Sequence, residues 1–131
     1  MVRDGRVAAI LDWELCTLGD PLADVGLLMV YWSEAGDEYS ALGSNPTALP
    51  GFPTRAELRR RYSERSGRDV SQLDFYVAFG FWKLACILEG VYSRYMAGAG
   101  GGDQSGIEFM ADQVVRLGEA AKEAASGAGS R

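Results

Sequence analysis

Apolar residues recur at helical spacing in several parts of this chain. The first stretch follows Asp20-Pro21, a pair typical of a helix start, because Asp caps free amides and Pro suits the first helical position. One face of this predicted helix is apolar and carries Leu22, Val25, Met29 and Trp32. This spacing predicts a helix that ends near residues 33–36.

The longest apolar stretch predicts a helix over residues 71–97. Its main stripe is formed by Val77, Phe81, Leu84, Leu88, Val91 and Tyr95. Its other faces carry Phe75, Phe79, Trp82 and Cys86. Apolar residues on several faces predict that this is the central, buried helix. A final amphipathic helix is predicted by Ile107, Met110, Val114, Leu117 and Ala121.

A charged helix is predicted between these two regions. Thr54 and Glu57 match a capping box, in which each side chain satisfies an amide of the other residue. Gly67 is expected to end this helix, because glycine tolerates the left-handed conformation there. The basic run at residues 59–61 has two interpretations, a solvated helix face or a contact with an anionic acceptor.

The N-terminus predicts a remnant of β-structure. Asp4-Gly5 is a tight-turn signal, and the apolar run at residues 7–11 is typical of a buried strand. Only residues 1–3 precede the turn, so the chain is expected to begin in the middle of a hairpin.

Composition and charge then exclude several classes of function. The 131 residues suit one domain, and the net charge of -5 argues against nucleic-acid binding, which needs a surplus of Lys and Arg. The chain contains no histidine, which excludes Ser-His-Asp and Cys-His nucleophilic systems. Cys16 and Cys86 have two interpretations, a disulfide or free, buried thiols in a reducing cytoplasm, and the second is the expected one. Lys83 and Glu89 interrupt the longest apolar stretch, which therefore predicts a buried helix and no membrane association.

Asp12 is the strongest candidate for chemistry. It follows the predicted strand, and a carboxylate held rigidly at a strand end suits Mg²⁺, which prefers oxygen ligands in near-octahedral geometry. The alternative is that Asp12 only caps a turn. The residues by themselves leave both interpretations open.

The segment around Asp12 reads Ile-Leu-Asp-Trp-Glu and continues to Gly-Asp-Pro-Leu-Ala-Asp-Val-Gly. It resembles the metal-binding region of the aminoglycoside phosphotransferase-like family, and most closely the phosphotransferase domains related to those fused to acyl-CoA dehydrogenases. The resemblance covers about residues 4–32. It implies a mainly α fold, namely the helical C-terminal lobe of a kinase-like fold with a remnant hairpin strand at the N-terminus.

The resemblance also implies a division of this single domain, 1–131. Residues 1–19 would form the metal-site strand and loop, residues 20–125 the helical acceptor-binding lobe, and residues 126–131 a frayed tail. Mg²⁺ and ATP are the implied cofactors, and a small-molecule hydroxyl is the implied acceptor.

The resemblance assigns roles to four acidic residues. Asp12 would coordinate Mg²⁺ between the β- and γ-phosphates of ATP. Glu14 would reach the metal through water or lie at the surface. Asp20 and Asp24 would support the site structurally, Asp20 as a helix cap and Asp24 as an acceptor of backbone hydrogen bonds.

The acceptor-binding residues are less clearly marked. Asp74, Tyr76 and Trp82 are the candidates, because they lie on the long helix of the lobe that binds acceptors in the family. The structural alternatives are helix-start stabilisation for Asp74 and core packing for the two aromatic residues.

The chain departs from the family pattern in what it lacks. A kinase-like site also needs a glycine-rich loop, a strand lysine, and a catalytic loop with its aspartate base and metal-binding asparagine. No His-Gly-Asp loop occurs in the sequence. The chain alone is therefore expected to have no kinase activity.

Three functional hypotheses follow. The first is the C-terminal part of an ATP-dependent small-molecule phosphotransferase, complemented by an N-terminal lobe. The second is a non-catalytic helical interaction module that pairs, for example as a homodimer, through its exposed N-terminal strand. The third is antibiotic modification, which ranks last because no acidic pocket for a polycationic aminoglycoside is identifiable.

Overall fold

The computed structural model describes residues 1–11, 18–37, 45–99 and 107–128. Its elements are β1 (Val2–Arg3), β2 (Arg6–Val7), α1 (Leu22–Tyr31), a 3-10 turn (Pro46–Ala48), α2 (Arg55–Ser66), α3 (Leu73–Met96) and α4 (Ile107–Ala128). The prediction of a mainly α fold with a hairpin remnant at the N-terminus is confirmed. Helix α4 continues to Ala128, so residues 126–128, expected in the tail, belong to the helix.

Helix α3 is the central element, as predicted. It packs closely against both α1 and α4. One cluster of buried side chains joins Val30 of α1 to Leu84 and Ala85 of α3 and to Leu117 of α4, which is fully buried. A second cluster joins α1 to Leu73, at the start of α3. The core therefore extends from the start of α3 to its middle, and α1 contributes to both clusters.

Helix α2 lies farther from the other helices, and it buries no residue along its described length. Its ends agree with the sequence prediction. The Thr54 side chain accepts a hydrogen bond from the Glu57 amide at 3.1 Å, and Gly67 ends the helix in the left-handed conformation, with φ of 67°. Only one bond of the capping box is present among the described residues, because the Glu57 carboxylate accepts from Arg61 instead.

The expectation that the other faces of α3 are buried is wrong. Phe75 and Trp82 are both 57% exposed, and Phe79 is also exposed, because α1 and α4 cover only part of the helix circumference. Cys86 lies on this uncovered side and is a free, exposed thiol rather than a buried one.

Helix α3 is also long and apolar enough to cross a membrane, with 24 residues and an 18-residue window whose mean hydropathy is 1.3. This is weak support for a membrane span, because the core helix of a soluble protein has the same length and composition. Helices α1 and α4 pack against α3, and 22% of this apolar window is buried.

The prediction of a buried strand over residues 7–11 is also wrong. Residues 2–3 pair with residues 6–7 in a short antiparallel hairpin around Asp4 and Gly5. The strand does not continue beyond Val7, and Val7, Ile10 and Leu11 are each more than 60% exposed. The physical reason is that no described helix packs over this hairpin, so its apolar side chains have no surface against which to be buried.

Candidate functional site

Two of the predicted site residues, Asp12 and Glu14, lie outside the described residues, as does Cys16. Within the described ranges, no group of three or more acidic or thiol side chains is arranged to hold a metal ion. The chemistry of Asp12 and Glu14 nonetheless fits Mg²⁺, because both supply carboxylate oxygens and Mg²⁺ usually takes only one or two protein carboxylates together with substrate phosphates. Their roles as metal ligands remain predictions.

Asp20 connects the start of α1 to α3. One carboxylate oxygen, Oδ1, accepts the amide of Leu22 at 2.9 Å, which is the capping contact that the sequence predicts. The other oxygen, Oδ2, accepts the hydroxyl of Tyr76 at 2.8 Å, across 56 residues of sequence. Asp20 therefore caps one helix and binds another through its two oxygens.

These hydrogen bonds shift the acidities of both partners. The Leu22 amide, and then the Tyr76 hydroxyl, stabilise the carboxylate and lower the pKa of Asp20 below its ordinary value of 3.8. The carboxylate in turn stabilises the protonated phenol and raises the pKa of Tyr76 above 10.0. The sequence made Tyr76 a candidate for binding the small-molecule acceptor. In the structure its hydroxyl is hydrogen-bonded to Asp20.

Two glycines lie where α1 and α3 are in close contact. A Cβ atom on Gly26 would lie 2.5 Å from the carbonyl carbon of Tyr76 and closer still to its carbonyl oxygen. A Cβ atom on Gly80 would lie 3.2 Å from the Cα atom of Leu27. The absence of a side chain at Gly26 lets the backbone of α1 contact the backbone of α3.

Asp24 lies exposed in the first turn of α1. A carboxylate at this position interacts favourably with the positive end of the helix dipole. Its predicted backbone hydrogen bonds do not occur between the residues that the structure describes. Its role in supporting the site therefore stays a prediction.

Asp74 lies on the rim of a cleft of about 450 Å³ between α1, α2 and α3. The apolar wall of the cleft is formed by Met29, Leu73, Val77 and Phe81. Arg59 crosses the rim, where its guanidinium contacts Asp74 Oδ1 at 3.0 Å and the Val70 carbonyl at 2.8 Å. The cleft combines an apolar wall with an ion pair, an arrangement that can hold a small molecule and orient a polar group.

Arg55, at the N-terminus of α2, is the second arginine of the cleft. Its guanidinium donates to the Trp32 carbonyl at 2.8 Å and forms ion pairs with Glu34 and Asp37. The Arg55 amide also donates to Glu34 Oε1, at 2.6 Å. These contacts hold the segment after α1 against α2. Sequence reasoning missed Glu34 and Asp37, because no local pattern links them to a residue about 20 positions away.

The basic run divides between two roles. Arg60 and Arg61 form ion pairs with Glu64 and Glu57, one helical turn away on the exposed face of α2. Arg59 instead lies in the cleft. The interpretation as a solvated helix face therefore fits Arg60 and Arg61. Arg59 lines the cleft, where it could contact an anionic acceptor.

The structure does not bring the three acceptor candidates to one place. Asp74 lines the cleft and Tyr76 binds Asp20, whereas Trp82 lies on the exposed face of α3. The Trp82 ring packs beside Phe79, with ring centroids 5.8 Å apart. Acceptor binding by Tyr76 and Trp82 stays a prediction.

The comparison with known protein families decides the family. The model of the phosphotransferase enzyme family APH matches residues 1–76 of this chain. This chain belongs to that family. The match in this APH-family chain includes the predicted metal-binding segment, α1, α2 and the start of α3, and therefore also Asp74 and Tyr76. Trp82 and α4 lie beyond it.

Comparison with curated proteins gives relatives with acyl-CoA dehydrogenase names. Acyl-CoA dehydrogenase family member 11 of Rattus norvegicus is 37% identical over 107 residues, covering 79% of this chain and 14% of the relative. Family member 10 of Mus musculus is 39% identical and covers 71% of this chain and 9% of the relative. The probable acyl-CoA dehydrogenase IBR3 of Arabidopsis thaliana is 35% identical, and the match covers 72% of this chain and 12% of the relative.

The APH-family chain thus spans only a small part of the length of these relatives. No solved structure matches it.

Proposed function

We propose that this chain is the C-terminal part of an ATP-dependent phosphotransferase that phosphorylates a hydroxyl group of a small molecule. The family match over residues 1–76 carries the proposal, because it includes the segment with Asp12 and Glu14. The chain would supply a metal-binding carboxylate and the helices that bind the acceptor. An N-terminal lobe would supply the glycine-rich loop, the lysine and the catalytic base.

Asp12 would hold Mg²⁺, with Glu14 as a second ligand through water. When bound, the ion neutralises the charge that develops on the phosphates during transfer. Asp20 would position this segment, because it lies a few residues beyond it and is fixed by two hydrogen bonds. The glycine contact between α1 and α3 would add a rigid support.

The acceptor would bind in the cleft between α1, α2 and α3. The apolar wall of the cleft suits the body of an organic molecule. For the polar groups of that molecule, Asp74 offers a hydrogen-bond acceptor and Arg59 a hydrogen-bond donor. The relatives are named for acyl-CoA, and an acyl chain with a hydroxyl group matches this combination. A hydroxylated acyl compound is therefore the acceptor class that we propose.

Mg-ATP binding can be measured by thermal shift. A ligand that binds only the folded state stabilises it by about 1.4 kcal/mol at ten times its Kd, and the shift grows with the logarithm of concentration. We expect Mg-ATP to raise the melting temperature of this chain and Asp12→Asn to abolish the rise. Asp112→Asn, an exposed carboxylate on α4, is the matched control and should keep it. No rise at millimolar Mg-ATP would favour the non-catalytic module described below.

Catalysis by the chain alone is a separate measurement. We expect no ATP turnover, because positioning and charge stabilisation are almost the whole of phosphoryl-transfer catalysis and the sequence contains no His-Gly-Asp loop. Turnover that requires Mg²⁺ and is lost in Asp12→Asn would contradict this expectation.

A second candidate function is a non-catalytic module that pairs with another copy. The exposure of Val2, Val7, Ile10 and Leu11 favours it, because an edge strand with apolar side chains is a template for association. Sedimentation velocity should then show a dimer that Val7→Lys converts to a monomer, whereas Lys122→Ala on α4 leaves it intact. A well-folded wild-type monomer would count against this candidate.

A further inference from the structure

A second cavity lies on α2, beside the cleft and sharing only Met29 with it. It is a groove of about 520 Å³ between α1 and α2. The groove exists because α2 lies away from α1, so that side chains rather than backbones bridge the space between the two helices. Its volume lies within the range of about 300–1,000 Å³ that is typical of small-molecule sites.

The floor of this α1–α2 groove is apolar. Val25, Leu28 and Met29 line it from α1, and Leu58 lines it from α2. Leu28 is 44% exposed, so part of this apolar surface remains in contact with water. A ligand with an apolar body would remove that surface from water, which is favourable in proportion to the area covered.

The polar groups on the rim are suited to an anion. Arg61, Tyr62, Arg65 and Ser66 line the α2 side, and no carboxylate is among the described residues that line the groove. Arg61 is paired with Glu57, and the Ser66 hydroxyl donates to the Tyr62 carbonyl. Arg65 forms no ion pair within the described ranges, so its guanidinium is available to an incoming anion.

The first cleft differs in charge. Its two arginines are each paired with carboxylates, and Asp74 itself lies on its rim. Of these two cavities, the α1–α2 groove is therefore the one lined by an arginine that has no ion pair among the described residues, although the chain as a whole has a net charge of -5. Arginine binds carboxylate and phosphate groups with two parallel hydrogen bonds, which favours these head groups over other anions.

We propose that the α1–α2 groove is a binding site for a small amphipathic anion, with its apolar body on the floor and its carboxylate or phosphate head on Arg65. This inference does not depend on the proposed phosphotransferase function, because neither Asp12 nor Asp74 takes part.

Isothermal titration of the full chain with octanoate is the direct test. We expect one binding site, and we expect Arg65→Ala to weaken binding roughly ten- to hundredfold through loss of a charge-assisted hydrogen bond. Leu28→Gln should also weaken binding by placing a polar group on the floor. Arg60→Ala is the matched control, since Arg60 lies on the same helix, is paired with Glu64 and does not line the groove.

Ligand variants test the charge and the head group. Octylammonium, with the same body and the opposite charge, should bind at least tenfold more weakly than octanoate. Octyl phosphate binding more tightly than octanoate would support a phosphate head, and the reverse order would support a carboxylate.

Four results would overturn the inference, and the first three are no binding of either anion, equal binding of octylammonium, and equal losses in Arg60→Ala and Arg65→Ala. A loss in Arg59→Ala that matches the loss in Arg65→Ala would place the anion in the first cleft, and would overturn it as well. Mg-ATP binding by the same samples reports separately on the phosphotransferase proposal.

Discussion

The contact of Gly26 with α3 predicts a large effect from adding one methyl group. In Gly26→Ala the new Cβ would lie 2.5 Å from the carbonyl carbon and 2.8 Å from the Cβ of Tyr76. Real Cβ atoms do not approach other heavy atoms so closely, and here the neighbour is mainly helix backbone, which cannot rotate away. Helices α1 and α3 must therefore separate or shift.

The expected magnitude follows from two opposing terms. Overpacking a well-packed interior costs about 1–3 kcal/mol, and a collision with backbone favours the upper end of that range. Replacing glycine by alanine inside a helix recovers up to about 1 kcal/mol. Gly26→Ala should therefore lower the free energy of unfolding by about 2 kcal/mol.

Gly118→Ala on α4 is the control, because it adds the same methyl group to a helix without a collision. A Cβ atom there meets no heavy atom within 4 Å, so only the helix-propensity gain of up to about 1 kcal/mol remains. Urea unfolding followed by far-UV circular dichroism should show the two variants on opposite sides of wild type, separated by about 3 kcal/mol. Gly26→Ala unfolding at the same urea concentration as Gly118→Ala would refute the close approach of α1 and α3.

Three further predictions concern single contacts. Tyr76→Phe should lower the free energy of unfolding at neutral pH and flatten its pH dependence at both ends. In the wild type, Asp20 has a lowered pKa, so its stabilising contribution is lost as the pH falls below about 4. Tyr76 has a raised pKa, so its stabilising contribution is lost as the pH rises above about 10. Urea unfolding at several pH values checks this, and a profile that is parallel to wild type would contradict it. Leu117→Ala should cost about 2–5 kcal/mol in thermal or urea unfolding, because the side chain is fully buried between α3 and α4, and a loss below 1 kcal/mol would contradict this packing. Thr54→Ala should cost about 1 kcal/mol by removing the cap of α2, whereas Thr54→Ser should retain most of the stability.

The sequence alone predicted the local features of this chain. Caps and end signals are local, because a cap joins residues only two or three positions apart, and Asp20, Thr54 and Gly67 therefore marked helix ends correctly. The segment around Asp12 identified the family in the same way, as a contiguous run of residue types.

Helical spacing could not predict which faces are covered. In α3 the buried Leu84 and the exposed Trp82 both belong to apolar stripes, and they differ only in whether another helix packs over them. The apolar run at residues 7–11 predicted burial for the same reason, and the structure leaves it exposed.

Contacts between distant residues were decided by the tertiary structure. The bond between Asp20 and Tyr76 exists because α1 and α3 cross at Gly26, and the pairing of Arg59 with Asp74 exists because α2 lies over the start of α3. Periodicity describes each helix by itself, whereas these contacts depend on how the helices are placed against one another. The sequence therefore determined the helices and the family, and only the packing of the helices determined the cleft, the α1–α2 groove and the partners of their charged residues.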